Sequence, residues 1–261
     1  MPAPTVSALF GEKADALVAF RETLAVGVMG TYLSGVELSD DYLWGKLLAA
    51  EADASHQLRV FFRPTKVLPD IAPQAEVDAL EEAGIPYHQE GAYDYDPDFF
   101  SSERWGFIAT NERPVIEVES IQFVYPTQGY SVFTVPKEWV RLDRKYGQIT
   151  LMPLSTVGVT AASMTLMHRM GSGVRVPMMM QIRYTAGLKD PAAQYPELPD
   201  LVKKMATLRL LQDAMLPQSG SISGDGLSES VSVDIDKFHD GINDKLDALR
   251  EVIHGVRMTV L

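Results

Sequence analysis

Apolar residues fall at helical spacing toward both ends of the chain and in short extended runs through its middle. Leu17, Phe20, Leu24 and Val28 predict a first helix from about Lys13 to Val28, closed by Gly27 and Gly30. Ser39 is placed to cap a second helix. Asp40 and Asp41 suit its positively polarised first turn, and Leu43, Leu47 and Leu48 open its apolar face. The Ala-rich text AAEADASHQLRVFF carries this helix to about Phe62, where Pro64 disfavours helical geometry at Arg63. A short third helix is predicted from Gln74 to Ala83, with Gly84 at its end and Pro86 beyond.

From Pro114 to Tyr184 the period changes. The runs VIEVESIQFVY, YSVFTV, QITLMP and MMMQIRY are rich in β-branched and aromatic residues and are separated by Pro and Gly, which predicts strands. In KEWVRLDRKYGQITL, Trp139, Val140 and Leu142 precede a Tyr146-Gly147 turn and then Ile149 and Leu151, the pattern of a hairpin. Two amphipathic helices close the pattern. Leu198, Leu201, Val202, Met205, Leu208, Leu211 and Met215 form one stripe, stopped by Pro217. Ile235, Phe238, Ile242, Leu246, Leu249 and Ile253 form a second, ending near Gly255.

These elements predict an α+β fold with amino-terminal helices, a central, mostly antiparallel β-sheet and carboxy-terminal amphipathic helices. The expected organisation is a single α+β domain over 1–261. Within it lie a helical part with a loop (1–112), a β-rich part (113–190) with an inserted loop at 153–177, and a helical part (195–261) with a flexible connector at 217–230. The inserted loop, LSTVGVTAASMTLMHRMGSGVRV, has no clean period. It reads equally well as strands or a short helix packed on the sheet, or as a projecting loop whose Met164, Met167 and Met170 adapt to a neighbouring surface.

Composition narrows the chemistry. The chain of 261 residues has no cysteine, which removes disulfides, thiolate nucleophiles and cysteine-held metals. A formal charge of −12 argues against broad affinity for a phosphate backbone and reads first as solubility through net charge, and second as a wall along which DNA could slide without being held. The opening MPAPTVSALFGEKADALVAF has no secretory pattern, and no window approaches the roughly 20 apolar residues of a membrane span.

No motif supports catalysis. Asp94-Tyr95-Asp96-Pro97-Asp98 starts like a calcium loop, but Phe99 and Trp105 stand where Gly and Glu are needed. His56, His88, His168, His239 and His254 show no metal-ligand spacing, and His254 suits the carboxyl end of a helix. GSISGDG at 220–226 lacks the Gly-Lys-Ser/Thr ending of a phosphate loop and follows a helix, so it reads as a hinge. The aromatic group Tyr93, Tyr95, Phe99, Phe100, Trp105 and Phe107 reads as local core or interface anchors. Neither a cofactor, a metal nor an enzyme activity is expected.

Five segments carry a resemblance: LSDDYLWGKLLAAEADASHQLRVFF, VPKEWVRLDRKYGQITLMP, MMMQIRYTAGL, YPELPDLVKKMATLRLLQDAML and GLSESVSVDIDKFHDGINDKLDALREVIHG. In order and wording, from about Val36 to Met258, the chain resembles neck proteins of tailed bacteriophages, the head–tail connector, adaptor or collar proteins. The resemblance implies a structural virion protein in the head–tail neck, made in the host cytoplasm. It would form a closed ring beneath the portal, twelve-fold to match it, that extends the DNA channel. The implied partners are other copies of itself, the portal protein, a tail or other neck protein and, transiently, packaged double-stranded DNA, with no membrane. Met164, Met167, Met170, Arg175, Ile235, Phe238, Ile242, Leu246, Arg257 and Met258 are the expected interface residues. Another virion structural protein, of the minor head or baseplate, is the first alternative, and an α+β enzyme or binding module the second.

Overall fold

A computed structural model describes residues 6–25, 38–96, 107–124, 131–152, 175–215 and 235–255. The inserted loop's methionines, the 217–230 connector, Arg257 and Met258 lie outside them. The fold is α+β, and the chain divides into two compact units, 1–58 with 190–252 and 59–189 with 253–261.

The first unit is helical. A minimal hairpin of β1 (Val6–Ser7) and β2 (Gly11–Glu12) leads into α1 (Lys13–Ala25), followed by α2 (Asp40–Leu58), the single turn α4 (Pro191–Gln194), α5 (Glu197–Met215) and α6 (Ile235–His254), the last through Val252. A helix α3 in the second unit is described below.

Helix α2 starts as its sequence predicts, with the Ser39 hydroxyl accepting the Tyr42 N–H at 3.3 Å. Its stripe Leu43, Trp44, Leu47, Ala50, Ala54 and Leu58 is buried, and the two alanines leave room for close approach of α5, which packs along it. Polar pairs fix the register. The Arg209 guanidinium holds Asp53, and Asp213 accepts from Lys46 and from the Tyr42 hydroxyl, the latter at 2.6 Å. Glu51 receives the Ser7 hydroxyl and the Ala8 N–H, tying the opening hairpin to α2.

Two expectations change here. Helix α2 ends at Leu58 and not near Phe62, because Arg59 turns the backbone into the left-handed region, with φ 54°. The stripe expected on α5 is part of a broader burial that also takes in Ala206, Thr207 and Leu210. Asp200, Lys203, Lys204 and Arg209 still hold exposed or half-exposed positions along it, so its buried face is broader than expected without the helix being apolar all round.

The second unit carries the sheets. Its elements are β3 (Thr65–Pro69), α3 (Gln74–Glu82), β4 (Tyr87–Glu90), β5 (Tyr93–Tyr95), β6 (Phe107–Ala109), β7 (Val115–Val124), β8 (Ser131–Thr134), β9 (Val140–Asp143), β10 (Gln148–Leu151) and β11 (Val176–Ala186). One sheet runs β4-β3-β11-β7-β8, and a smaller one runs β6-β10-β9. All described pairings are antiparallel except β3 with β4, which α3 connects. Strands β3 to β5 lie within the stretch expected to be helical, where short polar strands such as YHQE offer no periodic signal.

Strand β11 organises the main sheet. β7 pairs along one side, while β3 covers residues 184–186 and β5 covers 176–180 on the other. The chain therefore steps from β4 into the line of β3 at Gly91-Ala92, so that β5 takes over where β3 stops. Helix α3 ends with a Schellman arrangement: Gly84 at φ 64° donates to Glu81 and Ile85 donates to Leu80. It is clamped to the sheet by Glu76, which takes two bonds from Arg183 at 3.1 and 3.2 Å. Trp139, expected at the start of a hairpin strand, sits in a 3-10 turn (Lys137–Trp139) just before it. Its ring continues an aromatic row from Tyr95 through Phe123 and Phe133.

Candidate functional site

The richest polar chemistry in the second unit gathers where β4 hands over to β5. Glu90 ends β4 and is only 8% exposed. Its carboxylate accepts the Tyr93 hydroxyl at 2.5 Å, the Tyr184 hydroxyl at 3.1 Å and the Asn111 side-chain amide at 3.2 Å. The two phenols lie 3.4 Å apart. Each phenol also accepts a backbone N–H, Tyr93 from Asn111 at 3.0 Å and Tyr184 from Glu112 at 3.2 Å. Strand handover, central strand and the 110–112 link are thus joined through one buried carboxyl group.

Burial raises the Glu90 carboxyl above its ordinary range, against the lowering effect of its three donors. Burial likewise pushes both phenols upward, and the neighbouring carboxylate adds to it. The cluster therefore keeps its phenols neutral and holds a carboxyl that prefers its proton more than an exposed one does. Glu112, 3.9 Å from His88, adds a like charge nearby.

Tyr93 and Asn111 also border a cleft of about 380 Å³, lined by β5 and Asp96 on one side and β6 on the other, with Met180 and Arg175 completing it. Beside it β11 bulges: Val176 pairs with Tyr95 and Met180 with Tyr93, so two extra residues are looped out. Met178 sits in that bulge at φ 55°, a left-handed conformation unusual for methionine, and is half exposed. Asp94 pins it, accepting the Met178 N–H at 3.0 Å and the Arg175 guanidinium. Those two donors, the amide first, hold the Asp94 carboxyl below its usual range. A left-handed backbone thus occurs at an exposed apolar side chain and is held by the Asp94 carboxylate.

Among the expected interface residues that are described, only Arg175 lies at this site. Ile235 begins α6, with its side chain outside the described set; Phe238 is half-buried. Ile242 and Leu246 are 4% and 3% exposed, so the α6 stripe is already covered within the chain and its outer face is polar, with Val252 protruding. The sequence did not single out Glu90 or Tyr184. Tyr184 lies inside an apolar strand run and Glu90 inside YHQEGAYDY, with no spacing that links them; the aromatic crowding around Tyr93 and Phe107 was the one usable signal.

Among the described residues no group of three His, Cys, Asp or Glu side chains could hold a metal ion, and no helix is long and apolar enough to cross a membrane. No protein-family model matches the chain, and no curated protein matches it.

Proposed function

We propose that this protein is a structural component of a tailed-phage neck, assembling into a closed ring that joins portal to tail and extends the DNA channel. The observation that carries the reading is the order of the five resembling segments. They correspond to α2, the β9–β10 hairpin, β11, α5 and α6 with the residues before it. A ring closed by rotation needs two different surfaces on each copy. One candidate lies in the second unit, where the exposed Phe107 lines a cleft and the exposed Met178 lies between two of its lining residues, Arg175 and Met180, in sequence. Net charge of −12 suits a lumen through which DNA slides.

Residues 257–261 are the second surface in this reading. Removing them leaves each unit folded by circular dichroism but abolishes co-sedimentation with portal rings. Unchanged co-sedimentation by the shortened chain would count against the role of this segment.

One observation favours a second reading, a small-molecule binding module or enzyme: the same cleft has a phenol hydrogen-bonded to a buried carboxyl at its wall. That reading predicts a compact monomer that ignores the portal.

A further inference from the structure

Four exposed cations gather on the β9–β10 hairpin: Lys137 just before β9, Arg141 on it, and Arg144 and Lys145 at the turn. They stand in a chain where 35 Asp and Glu outnumber 23 Lys and Arg, so counter-ions are in excess. Even so, none of the four makes an ion pair with a described residue. Arg141 donates to the Glu138 and Val140 carbonyl oxygens at 3.1 and 3.4 Å, and Arg144 donates through Nε to that of Ile116 at 3.2 Å. These bonds position the two charges without neutralising them. Lys137 and Arg144 line a groove of about 190 Å³ with Val140 and Leu142, whereas Arg141 alternates to the other side of β9. Both sides of this terminal strand of the small sheet are therefore positive. Charge on a terminal strand discourages further strands from adding, so its partner should be of another kind.

The first unit carries a surface of the opposite sign. On α6 the exposed Asp240, Asp244, Asp247 and Glu251 recur at steps of four, three and four. At 3.6 residues per turn this spacing keeps them within about 60° of arc, in a ridge about 16 Å long. The buried Ile242, Leu246, Leu249 and Ile253 occupy the opposite side of the helix. Only Asp247 has a described cation in reach, Arg250 at 3.2 Å. Like charges at these steps oppose the helix that carries them, and a cationic surface laid along the ridge removes that opposition. The ridge is about twice the screening length at physiological salt, so a row of cations serves it and a single one does not.

We infer that the β9–β10 hairpin of one copy docks along the α6 ridge of a second copy, with Lys137, Arg141, Arg144 and Lys145 facing Asp240, Asp244, Asp247 and Glu251. The surfaces match in sign and in number of charges. A phosphate backbone would satisfy the hairpin but leave the ridge uncovered, whereas a second copy satisfies both. The two surfaces lie in different units, so the contact is head-to-tail and repeats around a closed ring. This inference rests on the ring reading and names where neighbouring copies meet.

Charge reversal tests it. Lys137→Glu with Arg141→Glu and Lys145→Glu reverses the hairpin; Asp240→Lys with Asp244→Lys and Glu251→Lys reverses the ridge. Arg144 and Asp247 are kept because each holds an internal bond. By light scattering, each triple variant alone associates at least about tenfold more weakly than wild type, with unchanged circular dichroism. Mixing the two restores assembly as an alternating ring, since every hairpin then meets a ridge of opposite sign, and one chain with all six changes assembles by itself. Glu82→Lys, on the exposed surface of α3, has no effect. In the wild-type assembly, made from isotope-labelled and unlabelled copies, carbodiimide joins Lys137 or Lys145 of one copy to a ridge carboxylate of another. Triple variants that form rings as readily as wild type overturn the inference and leave the ring. So do cross-links confined to single chains, or a hairpin reversal that abolishes retention of double-stranded DNA without weakening assembly. A wild-type protein that stays monomeric, alone and with the portal, overturns both.

Discussion

Glu90 is the side chain whose removal tests the second unit most sharply. Truncation to alanine strips the acceptor from three donors, the half-buried Tyr93, the buried Tyr184 and the exposed Asn111, at 2.5, 3.1 and 3.2 Å. At about 1 kcal/mol for each bond lost, the change costs about 3 kcal/mol before any cavity is counted. Glu90→Gln keeps the shape and part of the bonding, and costs about 1 kcal/mol at neutral pH. Its pH dependence is the more discriminating result. The carboxyl titrates higher in the fold than its ordinary value of 4.5, so the folded state binds the extra proton. The stability this contributes is complete below the unfolded value and is lost as pH rises through the folded one. Comparison with Glu90→Gln removes the contribution of titrating groups that do not interact with Glu90. Urea unfolding of both proteins from about pH 4 to pH 8 should therefore show the wild-type advantage shrinking as pH rises. An advantage that stays constant or grows with pH would refute the argument that burial dominates at this carboxyl.

Three further perturbations follow from the packing. Gly187→Ala should destabilise by about 3 kcal/mol in thermal unfolding, because φ is 111° and the new Cβ would meet the Arg63 and Phe61 carbonyl oxygens at 2.5 and 2.7 Å. Leu47→Ala, at a fully buried position on α2, should cost about 3 kcal/mol in urea unfolding. Glu76→Gln breaks the paired bonds from Arg183 and should cost about 1 kcal/mol, an effect that weakens when unfolding is repeated in about 1 M salt.

Much of the fold was legible because its elements repeat at their own period. The start of α1, helix α3, the long strands β7 and β11, and the end of α6 at Gly255 fall where apolar spacing, caps and glycines place them. Non-local constraints were not legible. Nothing near Arg59 signals that the backbone turns left-handed there instead of carrying α2 to Phe62. Nothing in TKVLP or YHQE separates a strand from a loop, since β3 and β4 are set by their neighbours in the sheet. The site shows the same limit more strongly. Glu90 and Tyr184 are 94 residues apart and meet only because β11 runs beside the point where the chain steps from β4 to β5. The Met178 bulge depends on Asp94, another contact across more than eighty residues.

The central claim is assembly, and the most direct measurement is the mass of the purified protein, alone and with portal rings, by light scattering followed by electron microscopy of the large species. The account predicts closed rings, formed by the protein itself or on the portal, with one annular layer added to the portal. A compact monomer or dimer that leaves the portal unchanged would contradict it.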